Sequence, residues 1–67
     1  MQYIVRARHP AFGTLYLGRT QPVQRRAAAL VFSSAAAAAE RIAWWQSRVE
    51  RDCLDKKFFG SLVVEPK

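Results

Sequence analysis

An internal disulfide and a multi-cysteine zinc site are excluded at the outset, because the chain of 67 residues has a single cysteine, Cys53, and each needs more than one thiolate. Glycine is scarce too. Gly13, Gly18 and Gly60 are scattered, so no glycine-rich loop exists to cradle a phosphate with backbone amides. His9 is the only histidine. It makes a formal Cys–His pair with Cys53, but neither residue carries a flanking signature of thiol catalysis; His9 is expected as a turn residue and Cys53 as a small core hydrophobe. The acids Glu40, Glu50, Asp52, Asp55 and Glu65 show no spacing typical of metal ligation or paired acid–base work, and Glu40 and Asp52 are expected to pair with neighbouring arginines. The sequence shows no catalytic apparatus, and no metal or cofactor is expected.

Long apolar runs are also missing. The longest candidate, Ala27 to Ala39, contains Ser33 and Ser34 and falls short of the ~20 residues a membrane span needs. Arg25-Arg26 before it imitates the charged start of a signal peptide, yet it follows two strand-like segments, so neither a targeting signal nor a membrane partner is expected. With one thiol, a reducing cytoplasm is the expected compartment. The most informative shortage is of negative charge. Residues 1–34 hold Arg6, Arg8, Arg19, Arg25 and Arg26 and no acid, whereas residues 35–67 hold six bases and five acids. The formal charge of +6 therefore sits mainly in the first half, where it would attract phosphate backbones, acidic protein surfaces or anionic lipid.

What is present argues for folding. An apolar fraction of 51% with eight aromatic residues exceeds what a disordered basic tail carries, and the length allows one core and one domain over residues 1–67. Gln2 to Arg8 alternates, with Tyr3, Val5 and Ala7 on one face and Ile4, Arg6 and Arg8 on the other, as a half-buried strand does. His9-Pro10-Ala11-Phe12-Gly13 supplies turn chemistry. Thr14 to Thr20 is a second strand, Leu15 and Leu17 inward and Tyr16 outward near Arg6. Residues 21–32 read as a loop with a short helical turn in Gln24–Ala29, then an extended stretch at Ala29-Leu30-Val31-Phe32.

Ser33 or Ser34 caps a helix of about nineteen residues that the alanine run favours and nothing breaks before Cys53. Its stripe of Ala35, Ala38, Ala39, Ile42, Trp45, Val49 and Cys53 faces the sheet. Asp55-Lys56-Lys57 reads as a turn and Phe58 to Val64 as a last strand. The expected fold is α+β: a small antiparallel sheet of about three strands on one long helix, in the order ββ(β/turn)αβ.

Two constellations stand out as sites. On the helical wheel Trp44 points away from Ile42, Val49 and Ala35 and toward Glu40, Arg41, Arg48 and Arg51. An exposed tryptophan among arginines has the composition of an interface hot spot; the plainer alternative is that Arg48 or a loop merely covers the ring. On the hairpin's outer face Tyr16 lies among Arg6 and Arg8, with Arg19, Arg25 and Arg26 nearby. Such an arrangement offers cations for phosphates and a ring for a base, and it is also what a solvated arginine-rich face looks like.

The strand pair followed by Ala29-Leu30-Val31-Phe32-Ser33-Ser34 and an alanine-rich helix, with its Ala-x-x-Phe-Ser-Ser-x-x-x-Ala run over residues 29–38, resembles small accessory proteins of bacteriophages and prophages, the anti-CRISPR type included. The resemblance covers about a third of the chain. It implies a non-enzymatic inhibitor or regulator, inside the bacterial host cell, that binds a host protein; many such proteins are acidic nucleic-acid mimics, from which the charge of +6 sets this chain apart. Binding of nucleic acid by the hairpin face is the alternative function, and a homodimer through the helix is a third arrangement.

Overall fold

The computed structural model describes residues 1–67. Alternation in the first segment produces β1 (Tyr3–His9), which pairs antiparallel with β2 (Gly13–Leu17) on one side and with the C-terminal strand β4 (Val63–Pro66) on the other. A two-residue β3 (Pro22–Val23) completes a four-stranded sheet ordered β3-β2-β1-β4. The β1–β2 connection ends at Gly13, whose φ of +75° an L-residue adopts only under strain. A side chain there would meet open space, so the glycine answers the backbone conformation and not crowding.

One sheet face packs on α1 (Ala35–Gln46) and α2 (Lys56–Phe59). Val5, Ala7, Leu15 and Leu17 meet Ala38, Phe58, Phe59 and Leu62 there in one cluster. The chain is thus α+β, with one main helix on an antiparallel sheet of four strands rather than about three. Residues 21–32 hold a 3-10 turn (Arg26–Ala28) and then an extended stretch, in which Leu30 N–H donates to Leu17 O and Phe32 exchanges backbone hydrogen bonds with Tyr3.

Three details depart from the sequence pattern, each for a physical reason. Phe58 and Phe59 lie in a helical turn, not a strand. Successive strand residues point to opposite faces and would leave one ring in water, whereas in a helix they stand about 100° apart, and both are buried here. Asp55 starts this turn by accepting from Lys57 N–H.

The main helix, capped by Ser34 Oγ accepting from Ala37 N–H, is regular only to Gln46. Beyond that the Trp44 carbonyl takes the Ser47 hydroxyl and the Arg48 guanidinium, and Arg48 N–H turns to Trp45 O instead. Side chains competing for a helical carbonyl in this way tighten the last turns. The turns end in a Schellman arrangement, with Leu54 N–H donating to Val49 O and Cys53 N–H toward Glu50 O at 3.5 Å. Cys53 occupies the left-handed position at φ 54° and is exposed; it is a cap residue and not the core hydrophobe expected.

Ile4, expected in solvent beside Arg6 and Arg8, is fully buried, although it stands outside the cluster under the helices. Its neighbour across β4 is Glu65, and Arg26 of the 3-10 turn donates to the Glu65 carboxylate and to Pro66 O. This clasp ties the turn to the end of β4, beside the buried Ile4.

Two stability outcomes follow from this packing. Phe58→Ala removes a ring that is almost fully buried at a cost of ~3–5 kcal/mol, comparable to the roughly 3–5 kcal/mol a domain of this size possesses; circular dichroism at 25 °C is expected to show a largely unfolded chain. Cys53→Gly relieves left-handed strain of ~1–2 kcal/mol against an added chain entropy of ~0.5–1 kcal/mol. Its urea midpoint is expected to rise, by a net gain of about 0.5–1 kcal/mol.

Candidate functional site

The helix turn that exposes Trp44 also fixes its geometry. With Ala38 fully buried against the sheet, residues six positions on are turned well away from it, and Trp44 emerges 41% exposed. The Arg48 guanidinium lies 3.7 Å from the indole centroid and that of Arg41 5.3 Å, within the range of cation–π attraction. Trp45 meets the same ring edge-on at 4.8 Å and 88°. Trp45 in turn contacts Phe59 at 5.1 Å and Phe59 contacts Phe58 at 4.8 Å, so aromatic rings run without a break from the surface to the core. Arg48 does cover part of the indole, as the plainer alternative anticipated, but it leaves two-fifths of the residue open.

Beside Trp44 an open hollow of about 400 Å³ is lined by Phe32, Ala37, Glu40 and Arg41. The sequence offers Phe32, just before Ser33, and Ala37 as a hydrophobic contact across the start of the helix, not as lining of a site; both line this one hollow. Arg51 does not join the group, since it lies past the regular helix and pairs with Asp52 at 3.4 Å. Glu40 makes no ion pair, contrary to expectation.

On the far side of the sheet the register places Val63, Arg6, Tyr16 and Val23 in one row across all four strands, and Arg8 faces Thr14 in the next row. Tyr16, Arg6 and Arg8 thus share a face, as the alternation required. Arg26 does not share this role, because its guanidinium is engaged by Glu65 and Pro66. Arg6 also reaches Glu65, at 3.6 Å. Arg19 and Arg25 are exposed on the chain flanking β3 and make no ion pair. Val23 and Val63 were missed; the phase of β4, with Glu65 and Val63 opposite to Val64, was the signal for the second.

His9, expected as a turn residue, is the buried last residue of β1. Its Nδ1 accepts from Ala11 N–H, which leaves Nε2–H to donate to the Asp55 carboxylate at 3.0 Å. No hydrogen bond joins it to Cys53. The ring, packed on Phe12 at 4.9 Å, ties the hairpin to the start of α2. Asp55 has its pKa held below the ordinary value of 3.8, first by the Lys57 amide and, with burial opposing, then by His9.

No protein-family model, curated protein or solved structure matches the chain.

No helix is long and apolar enough to cross a membrane, and no three His, Cys, Asp or Glu side chains are grouped as a metal site would require. The geometry therefore presents two unlike surfaces, one on each side of the molecule.

The Asp55 shift has a definite sign. A carboxylate with a folded pKa below its unfolded value contributes stability that is complete above the unfolded value and is lost as pH falls through the folded one. Asp55→Asn keeps a side-chain oxygen at the cap and removes the charge. Its deficit in urea midpoint relative to wild type is expected to be constant above about pH 5 and to close as pH falls below 3.8.

Proposed function

We propose that the chain is a non-enzymatic binding module of the phage-accessory kind, an inhibitor or regulator in the bacterial cytoplasm, that docks on an acidic surface of a host protein through Trp44, Arg41 and Arg48. The observation that carries this reading is a tryptophan 41% exposed yet held in place by Arg48 at 3.7 Å and by Trp45 at 4.8 Å. A ring already held in one orientation loses little conformational freedom on binding, so more of its buried area appears as affinity. Tryptophan and arginine are also the residues over-represented where truncation costs most. The flanking guanidinium groups supply the charge for an acidic partner, and the hollow between Phe32 and Trp44 offers room for an apolar side chain from it.

Capture from a lysate of the native host, using the tagged chain, tests this reading. Trp44→Ala is expected to keep the circular dichroism spectrum and thermal midpoint of the wild type, because the ring stands outside the core cluster, while weakening the captured complex about 30-fold, equivalent to ~2 kcal/mol. Arg41→Glu is expected to weaken it as well, by placing like charge against the partner. A Trp44→Ala chain that unfolds, or capture unchanged in both variants, rejects the proposal.

A further inference from the structure

The outer sheet face is divided in two. Arg26 binds across the end where Ile4 is buried, while in the other half Arg8, Thr14 and Val63 are exposed and Tyr16 is half-buried. The open half carries the row Val63–Arg6–Tyr16–Val23 with Arg8 and Thr14 beside it. Val63 is 43% exposed and the Arg6 side chain likewise 43%. Adjacent strands lie ~4.8 Å apart, so Tyr16 has Arg6 immediately on one side and an apolar wall, Val23, on the other.

Charge decides what such a surface attracts. The one acid on this face, Glu65, is already bridged by Arg6 and Arg26. Arg8 makes no ion pair, nor do Arg19 and Arg25 beside β3. The face is therefore net positive, with an aromatic ring in its row, and as the face of a four-stranded sheet it is broader than the helix or two-stranded ribbon that a duplex groove admits.

We infer that this open half-face is a docking platform for single-stranded nucleic acid, Tyr16 stacking on an unpaired base while Arg6 and Arg8 meet the flanking phosphates. Stacking is tolerant of sequence because every base has a π-face, and phosphate contacts carry none of the sequence information. Sequence-tolerant binding is the expected behaviour. Glu65 has a positioning part, since its contact at 3.6 Å directs the Arg6 guanidinium toward β4.

Fluorescence anisotropy of the full chain with a labelled oligothymidine of about 12 nucleotides, a span within the usual range of such platforms, tests the inference. Binding is expected at about 50 mM salt and to weaken steeply by about 200 mM. The same oligonucleotide annealed to its complement is expected to bind less well. Tyr16→Leu, which keeps an apolar residue on the strand, is expected to lose about tenfold in affinity. Arg8→Gln is expected to reduce the slope of log K against log salt by about 0.7. Lys57→Gln, which removes one charge from α2 on the opposite side, is expected to leave that slope unchanged. Absence of binding at the lower salt, equal affinity for the duplex, indifference to Tyr16→Leu, or an equal affinity for polyglutamate each overturns it. These readouts do not involve Trp44, so the inference and the host-protein proposal stand or fall separately.

Discussion

An alanine-rich helix can approach a sheet closely but brings little apolar volume with it, and the rest of this structure follows from that constraint. Ala38 is the one fully buried residue of α1. Packing at protein density leaves no room for voids, so the space beyond the alanines has to be filled from elsewhere in the chain. Phe58 and Phe59 fill it, and a one-turn helix lets two adjacent rings enter the same core. The hydrogen bond from Gln46 Nε2 to Phe59 O, at 3.1 Å, joins the end of α1 to this turn. Trp45 then rests on Phe59, which leaves Trp44, one position back, with nothing beneath it but the edge of Trp45 and the arginines above.

The sheet's other face answers to a different shortage. A two-layer fold of this length has no second helix to cover it, yet Ile4 is fully buried beside Glu65, which Arg26 binds together with Pro66. Exposed ion pairs contribute little individually. The clasp matters for where it puts the chain: it ties the 3-10 turn to β4 at the end where an isoleucine is buried, a burial worth roughly 1.5–3 kcal/mol. By binding only at that end, it leaves the Tyr16 row open and removes the only acid from competition for Arg8.

Legibility in the sequence follows the range of the interactions. The hairpin, its turn at Gly13, the pairing of Arg6 with Tyr16 and the outward direction of Trp44 all depend on residues close in sequence, and periodicity displays them directly. The Phe58-Phe59 turn, the burial of Ile4 and the engagement of Arg26 depend on partners 39 or more residues away or on the volume left by another element, which no local pattern encodes. Between these extremes lies the end of α1. Helix propensity favours continuing to Cys53, and the chain does continue in turns, but Ser47 and Arg48 redirect the hydrogen bonds from the side-chain level. His9 illustrates the same limit: a turn sequence surrounds it, and its carboxylate partner Asp55 lies 46 residues further along the chain.

Arg48 connects these two scales. Its guanidinium donates to the Trp44 carbonyl at 3.1 Å while its central carbon lies over the Trp44 ring, 3.7 Å from the centroid, so one side chain both tightens the end of the helix and holds the indole. A planar, delocalised cation with several donors can satisfy both geometries at once; an ammonium, which is compact and strongly hydrated, has no plane to stack and would be drawn toward water. The backbone irregularity after Gln46 and the orientation of the exposed ring are therefore one feature. A surface fixed in this way does not depend on rotamer choice at the moment of contact, because the alternative orientations of Trp44 would break the stack with Arg48, the edge contact with Trp45, or both.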